Sequence, residues 1–149
     1  MKRVLFIDTQ NSIVGPMAEA WFNRHADGCG VASSCGVLPV DWINAPTVQA
    51  MYEAGIDIGH KLPRGLDERK LAQADVIVLI GVWIHLTNNV QTIKWDITDP
   101  AQPSLADVRI LRGKICQRVD QLIQELQQEH EPGFSHEQWQ TAIVNLLCM

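Results

Sequence analysis

Residues 4–20 read VLFIDTQNSIVGPMAEA, and this stretch decides the fold. The apolar run at 4–7 is β-branched at both ends, which is typical of a strand buried in a parallel sheet. Pro16 stands at a first helical position, and the apolar residues after it have helical spacing. Residues 8–15 therefore form a strand-to-helix loop. In such a loop, backbone N–H groups and the positive helix end converge where phosphate-like anions bind.

The rest of the chain continues this alternation of strands and helices. The pattern predicts strands at 3–7, 29–34, 75–80 and 91–94, and helices at 16–25, 44–54, 67–72 and 104–130. This order is typical of a doubly wound parallel α/β sheet, in which ligands bind at the carboxyl ends of the strands. The long last helix has Ser104 as its N-cap and Asp107 at the capping-box position.

Length and composition limit the class of protein. With 149 residues and 46% hydrophobic content, we expect one domain at 1–131, followed by a helical extension at 132–149. No stretch approaches the roughly 18 apolar residues of a membrane span, so we expect a cytoplasmic protein without a membrane partner. A net charge of -5 argues against a nucleic-acid partner. The four cysteines lack metal-site spacing, so we expect reduced thiols, no metal and no cofactor.

The loop resembles that of the low-molecular-weight protein tyrosine phosphatases and of the thioredoxin-coupled arsenate reductases that share their fold. In that family the loop reads Cys-x-x-Asn-x-x-Arg-Ser and is followed by Pro-Met-Ala-Glu. Here Asn11 and the sequence PMAE at 16–19 are kept. Asp8 stands at the cysteine position, Val14 at the arginine position and Gly15 at the serine position.

The resemblance runs from about residue 3 to about residue 130, with its motifs in matching order. Asp99, followed by proline, stands at the family's general-acid position. The resemblance implies a three-layer fold with a four-stranded parallel sheet in the order 2-1-3-4, the phosphotyrosine phosphatase I-like fold. It also implies a binding loop made of Asp8, Thr9, Gln10, Asn11, Ser12, Ile13, Val14 and Gly15.

The two substitutions remove the family's chemistry. A phosphatase or arsenate reductase of this kind attacks with a thiolate, whereas Asp8 offers a carboxylate, whose pKa we expect the loop donors to lower. Val14 cannot replace the guanidinium that holds the oxyanion. The resemblance places the arsenate reductases' relay cysteines after the third strand, but residues 81–89 contain none.

The sequence therefore favours a catalytically inactive relative with a binding, sensing or regulatory role. The alternative is a hydrolase or phosphatase-like enzyme with altered chemistry at Asp8. Aspartate nucleophiles of haloacid-dehalogenase-like phosphatases lie in Asp-x-Asp, but Gln10 replaces the second acid here. Residues 6–11 also resemble the strand end of isochorismatase-like hydrolases, without the downstream lysine and cysteine.

Asp99 is a second candidate, with three interpretations. It could serve as a general acid, or it could simply close the turn before the long helix. Asp8 and Asp99 could also bind a cation or an amine together, with His85 or Asn11 as a further ligand.

Tryptophans are unusually frequent for this length, with five in the chain. Trp42, Trp83 and Trp95 follow strands and are predicted to rim the pocket, where they would suit a less charged ligand or a partner protein. Ordinary packing is the alternative. The stretch 134–149 has an amphipathic pattern that must dock on its own domain, on a second copy as a homodimer, or on another partner.

Overall fold

The computed structural model describes residues 1–130 and contains four parallel strands and four helices. In chain order the elements are β1 (Lys2–Asp8), α1 (Val14–His25), β2 (Gly30–Gly36), α2 (Ala45–Glu53), α3 (Glu68–Gln73), β3 (Val76–Ile80), β4 (Gln91–Trp95) and α4 (Leu105–His130). The strands lie in the order β2-β1-β3-β4. The predicted doubly wound four-stranded sheet and its strand order are thus confirmed.

Successive side chains of the central strands point to opposite faces of the sheet, and each face packs in its own hydrophobic core. Val4 and Phe6 of β1 face the larger core, which lies against α1, α2 and α4. Leu5 and Ile7 face the smaller core, which also contains Leu71 of α3. Because β1 and β3 are buried on both faces, their sequences are continuous apolar runs rather than alternating ones.

Helix starts follow the predicted capping chemistry with small shifts. Helix α1 begins at Val14, two residues before the predicted start, so Pro16 lies in the first turn, where a missing N–H costs little. At the start of α4, the Ser104 N–H donates to Asp107 Oδ2 at 2.9 Å and the Asp107 N–H donates to Ser104 Oγ at 3.1 Å. The predicted capping box is therefore present.

The predicted helix within 132–149, and the contact assigned to it, lie outside the described residues. Within residues 1–130, no helix is both long enough and apolar enough to cross a bilayer. Cys29, Cys35 and Cys116 are free and buried, as expected for core thiols.

Candidate functional site

The loop between β1 and α1 lies at the carboxyl edge of the sheet, against the segment that follows β2. The backbone N–H groups of residues 37, 38, 40 and 44 donate to the carbonyls of residues 8, 9, 10 and 12. Gly36 permits this close approach, because a Cβ there would lie 2.7 Å from Asn11 N. The loop's carbonyls are thus held by this neighbouring segment.

Two N–H groups of the loop are occupied by the protein's own carboxylate. Asp8 Oδ1 accepts from the Asn11 N–H and Asp8 Oδ2 from the Gly15 N–H, both at 2.9 Å. The Asp8 residue is 1% exposed, at the amino end of α1, where the helix dipole favours a negative charge. Both carboxylate oxygens therefore already have donors at the bottom of the loop.

Burial reverses the pKa shift that the sequence predicts for Asp8. The carboxyl loses its hydration, which raises its pKa from 3.8 to about 6, and the N–H donors of Gly15 and Asn11 oppose this only in part. The expected lowered pKa is thus corrected to a raised one. At neutral pH the side chain still carries its negative charge.

The Asp8 carboxylate also leaves no room for a side chain at position 15. A Cβ at this position would lie 2.7 Å from Asp8 Oδ2, 2.8 Å from Asp8 Cγ and 3.0 Å from Asp8 Oδ1. Glycine at the family's serine position therefore leaves room for a carboxylate at the family's cysteine position. This coupling is invisible in the sequence, because it depends on the path of the loop.

Asn11 holds the loop to two distant parts of the chain. Its backbone has φ 51°, in the left-handed region, where asparagine is tolerated better than most residues. Its Nδ2 donates to Ser34 Oγ at 3.0 Å, and its Oδ1 accepts from the Arg64 N–H at 2.8 Å. Both side-chain polar atoms are thereby engaged within the protein, which disfavours Asn11 as a ligand for a cation.

Glu19, the acid of the PMAE sequence, is also buried, at 5% exposure. It forms an ion pair with Lys61, and Arg64 Nη1 lies 3.9 Å from Glu19 Oε1. Sequence reasoning missed this pairing, since nothing in the pattern connects residues so far apart.

Asp99 lies beside a cavity at the loop. Burial and the charge of Asp8 raise its pKa to about 6, so the Asp8 charge acts on Asp99. Its Oδ1 is buried and has no hydrogen-bond partner within residues 1–130. In the same described range, no three His, Cys, Asp or Glu side chains are placed to hold a metal ion.

The three predicted rim tryptophans separate into two environments. Trp42 and Trp83 are 74% and 73% exposed, and the Trp83 ring has Lys94 Nζ above it at 2.8 Å from its centroid. The sequence predicts Trp95 on the rim as well, but the structure places it in the core. It is 5% exposed and packs against Phe6 with ring centroids 5.7 Å apart.

Of the cysteines among residues 1–130, Cys35 lies on the strand next to β1. Cys35 is the β2 partner of Ile7 and is fully buried. Burial, with the charge of Asp8, raises the pKa of its thiol to about 12. The thiol stays protonated at neutral pH and is a poor nucleophile.

Curated relatives of this chain are arsenate reductases. It is 29% identical over 131 residues to a glutaredoxin arsenate reductase of Synechocystis, which covers 85% of this chain and 99% of that protein. It is 29% identical over 123 residues to an arsenate reductase of Brevibacillus brevis, covering 79% and 91% of the two chains.

Solved structures agree on the fold. An arsenate reductase in a phosphate-binding state superposes with a TM-score of 0.75 and 27% identity, covering 85% of this chain and 99% of that one. The arginine phosphatase YwlE of Geobacillus stearothermophilus superposes with a TM-score of 0.76 at 20% identity, covering 91% and 100%, which bears on the fold alone.

Residues 3–132 match the family described as low molecular weight phosphotyrosine protein phosphatase. The sheet order, the loop at the end of β1 and these relatives agree with that match. The chain therefore belongs to the low molecular weight phosphotyrosine protein phosphatase family.

Proposed function

We propose that this chain is an inactive member of its family, which neither hydrolyses phosphate esters nor reduces arsenate, and which acts by binding. The observation that carries the proposal is the pair of hydrogen bonds from the N–H groups of Asn11 and Gly15 to the two Asp8 oxygens. A buried carboxylate with both oxygens engaged is badly placed to attack a substrate.

Charge at the loop supports the same conclusion. An oxyanion brought within about 4 Å of the Asp8 carboxylate would meet about 4 kcal/mol of repulsion per unit charge at an effective dielectric near 20. Val14, 1% exposed, offers only a hydrocarbon where the family has its guanidinium. Neither the attacking group nor the positive charge that offsets phosphoryl transfer is supplied by this loop.

The test is turnover by the purified protein. We expect no hydrolysis of p-nitrophenyl phosphate and no reduction of arsenate with thioredoxin or glutaredoxin, under conditions in which the Brevibacillus brevis enzyme serves as a positive control. Asp8→Ala and Asp96→Ala are the matched variants, since Asp96 is an exposed carboxylate outside the loop. Turnover that persists in Asp96→Ala and disappears in Asp8→Ala would overturn the proposal and favour the Asp8 enzyme.

Ligand-induced stabilisation gives an independent check. A ligand that occupies the native loop must raise the melting temperature. We expect inorganic phosphate and vanadate to leave it unchanged, because the loop already carries a negative charge. A rise in the melting temperature of the wild type that grows with phosphate or vanadate concentration would contradict this expectation.

A further inference from the structure

A cavity of about 370 Å³ opens beside the loop, at the carboxyl ends of β1 and β3. Its volume falls within the range typical of small-molecule sites, and its position is where ligands bind in doubly wound sheets. It is lined by Thr9, Gln10, Val14, Ile80, Gly81, Ile97, Thr98, Asp99, Pro100 and Ala101.

The back of the cavity is fixed by close backbone packing. Gly81 has φ 65°, and a Cβ there would lie 2.4 Å from the carbonyl oxygen of Ile97. The Gly81 N–H also donates to the Trp95 carbonyl at 3.0 Å. These contacts hold the segment after β4, which carries Asp99, against the end of β3.

The polarity of the lining is opposite to that of an oxyanion site. Asp99 is the only ionisable side chain among the lining residues, and none of them is basic. Its buried Oδ1 lacks a hydrogen-bond donor within the described chain. An ionised carboxylate with an unpaired buried oxygen is costly, and a cation in the cavity beside the group would offset part of that cost.

We propose that this cavity binds a small molecule or side chain bearing an alkylammonium or alkylguanidinium group, which pairs with the Asp99 carboxylate at the cavity wall. The inference rests on the proposed function, since it names the class of ligand for the same site. Ile97, Pro100 and Ala101 line the cavity with apolar groups beside which the alkyl stem would lie. The side chains of Thr9 and Thr98 provide further acceptors for the remaining N–H groups.

The neighbouring charge favours a cation over a neutral donor. The negative charge of Asp8 acts on Asp99, so the ionised pair repel each other. A bound cation offsets that repulsion, which a neutral alcohol of the same shape does not. An anion would add to it.

The experiment is a titration of the isotope-labelled full chain, followed by amide chemical shifts. The probes are n-butylamine and n-butylguanidine, with n-butanol as the neutral isostere and inorganic phosphate as the anion. We expect saturable shifts at residues 9–15 and 97–101 with the two cations, and no saturable shift with n-butanol or phosphate.

Two matched variants test the contact itself. Asp99→Asn keeps the shape of the side chain, removes its charge, and should weaken n-butylamine binding by about tenfold or more. Asp96→Asn removes the same charge three residues away, from an exposed side chain that does not line the cavity, and should change the affinity by less than about twofold. Circular dichroism confirms that both variants are folded.

The source of the cation is decided by a further probe. Nα-acetyl-lysine methylamide presents the same butylammonium group on a peptide unit. Tighter binding than n-butylamine assigns the site to a protein side chain, and weaker binding assigns it to a free amine.

Three results would overturn the inference: no saturable shift with either cation, equal binding of n-butanol, or an undiminished affinity in Asp99→Asn. None of them would restore phosphatase or arsenate reductase turnover, so the proposed function would stand. Conversely, turnover that depends on Asp8 would refute the proposed function whatever the titration shows.

Discussion

Replacing Gly15 with alanine should destabilise the protein, because the new methyl group would collide with Asp8. The three nearest atoms to a Cβ at this position, at 2.7, 2.8 and 3.0 Å, all belong to the Asp8 carboxylate. That carboxylate cannot move aside cheaply, since it is 1% exposed and both its oxygens are hydrogen-bonded. Overpacking of this kind costs about 2 kcal/mol, within a usual range of about 1–3 kcal/mol.

The assay is thermal and urea unfolding of the wild type and the variant. For a chain of this size, about 2 kcal/mol corresponds to a fall in melting temperature of roughly 4–8 °C. Gly113→Ala is the matched control, because Gly113 also lies in a helix and a Cβ there meets nothing within 4 Å. That substitution should be neutral or stabilising by up to about 1 kcal/mol, from helix propensity alone.

A double-mutant cycle assigns the cost to the proposed contact. Asp8→Ala removes all three colliding atoms, so Gly15→Ala should be tolerated in that background, with a coupling energy of about 1 kcal/mol or more. The reasoning is refuted if Gly15→Ala is as stable as the wild type, or if it costs the same with and without the Asp8 carboxylate.

Three further predictions follow from the described contacts. The pKa of Asp99, 3.8 ordinarily and raised to about 6 in the fold, means that the folded state holds a proton the unfolded state has lost. The contribution of Asp99 to the free energy of unfolding therefore becomes less favourable as the pH rises from about 4 to about 6. The difference in melting temperature between Asp99→Asn and the wild type should increase over this window and then level off. A difference in melting temperature that does not change with pH would contradict the raised pKa of Asp99. Asn11→Ala should cost about 2–3 kcal/mol in urea unfolding, since it leaves the buried Ser34 hydroxyl and the partly buried Arg64 N–H without their partner. Ser34→Ala should cost less, and equal costs would argue against Asn11 being held by both hydrogen bonds. Trp95→Ala should lower the free energy of unfolding by about 3–5 kcal/mol, because this side chain is buried, whereas exposed Trp42→Ala should lower it by less than about 0.5 kcal/mol. Comparable losses would contradict the difference in burial between the two tryptophans.

Much of the fold was predictable, because it is written in local patterns. The apolar runs of β1 and β3 predict buried parallel strands, and the Ser104 and Asp107 pair predicts the start of α4. The strand order came from the family resemblance rather than from these patterns. Two bounds differ by two residues. Helix α1 begins earlier than predicted, because a proline in the first turn does not mark which residue of that turn comes first, and β2 ends at Gly36 rather than at residue 34.

The site was predictable in part. Asp8 and Asp99 lie at the carboxyl edge of the sheet, where the charge of Asp8 acts on Asp99, and their forming one functional site stays a prediction. Trp95 is the last residue of β4, at the same end of the sheet, yet its side chain packs in the core beside Phe6. Sequence position gives the end of the sheet but not the face on which a terminal residue packs.

The sequence alone determined the order of elements and the place of the loop, and it puts a carboxylate at residue 8 and a hydrocarbon at residue 14, where the family resemblance implies a thiolate and a guanidinium. These properties depend on neighbours along the chain, or on which atoms a side chain contains. Tertiary structure decided the direction of the Asp8 pKa shift, the contact between Gly15 and the carboxylate, and the burial of an Asp99 oxygen that has no hydrogen-bond partner within residues 1–130. Each of those depends on how much water the packed elements exclude and on distances of a few tenths of an ångström, which no one-dimensional pattern encodes.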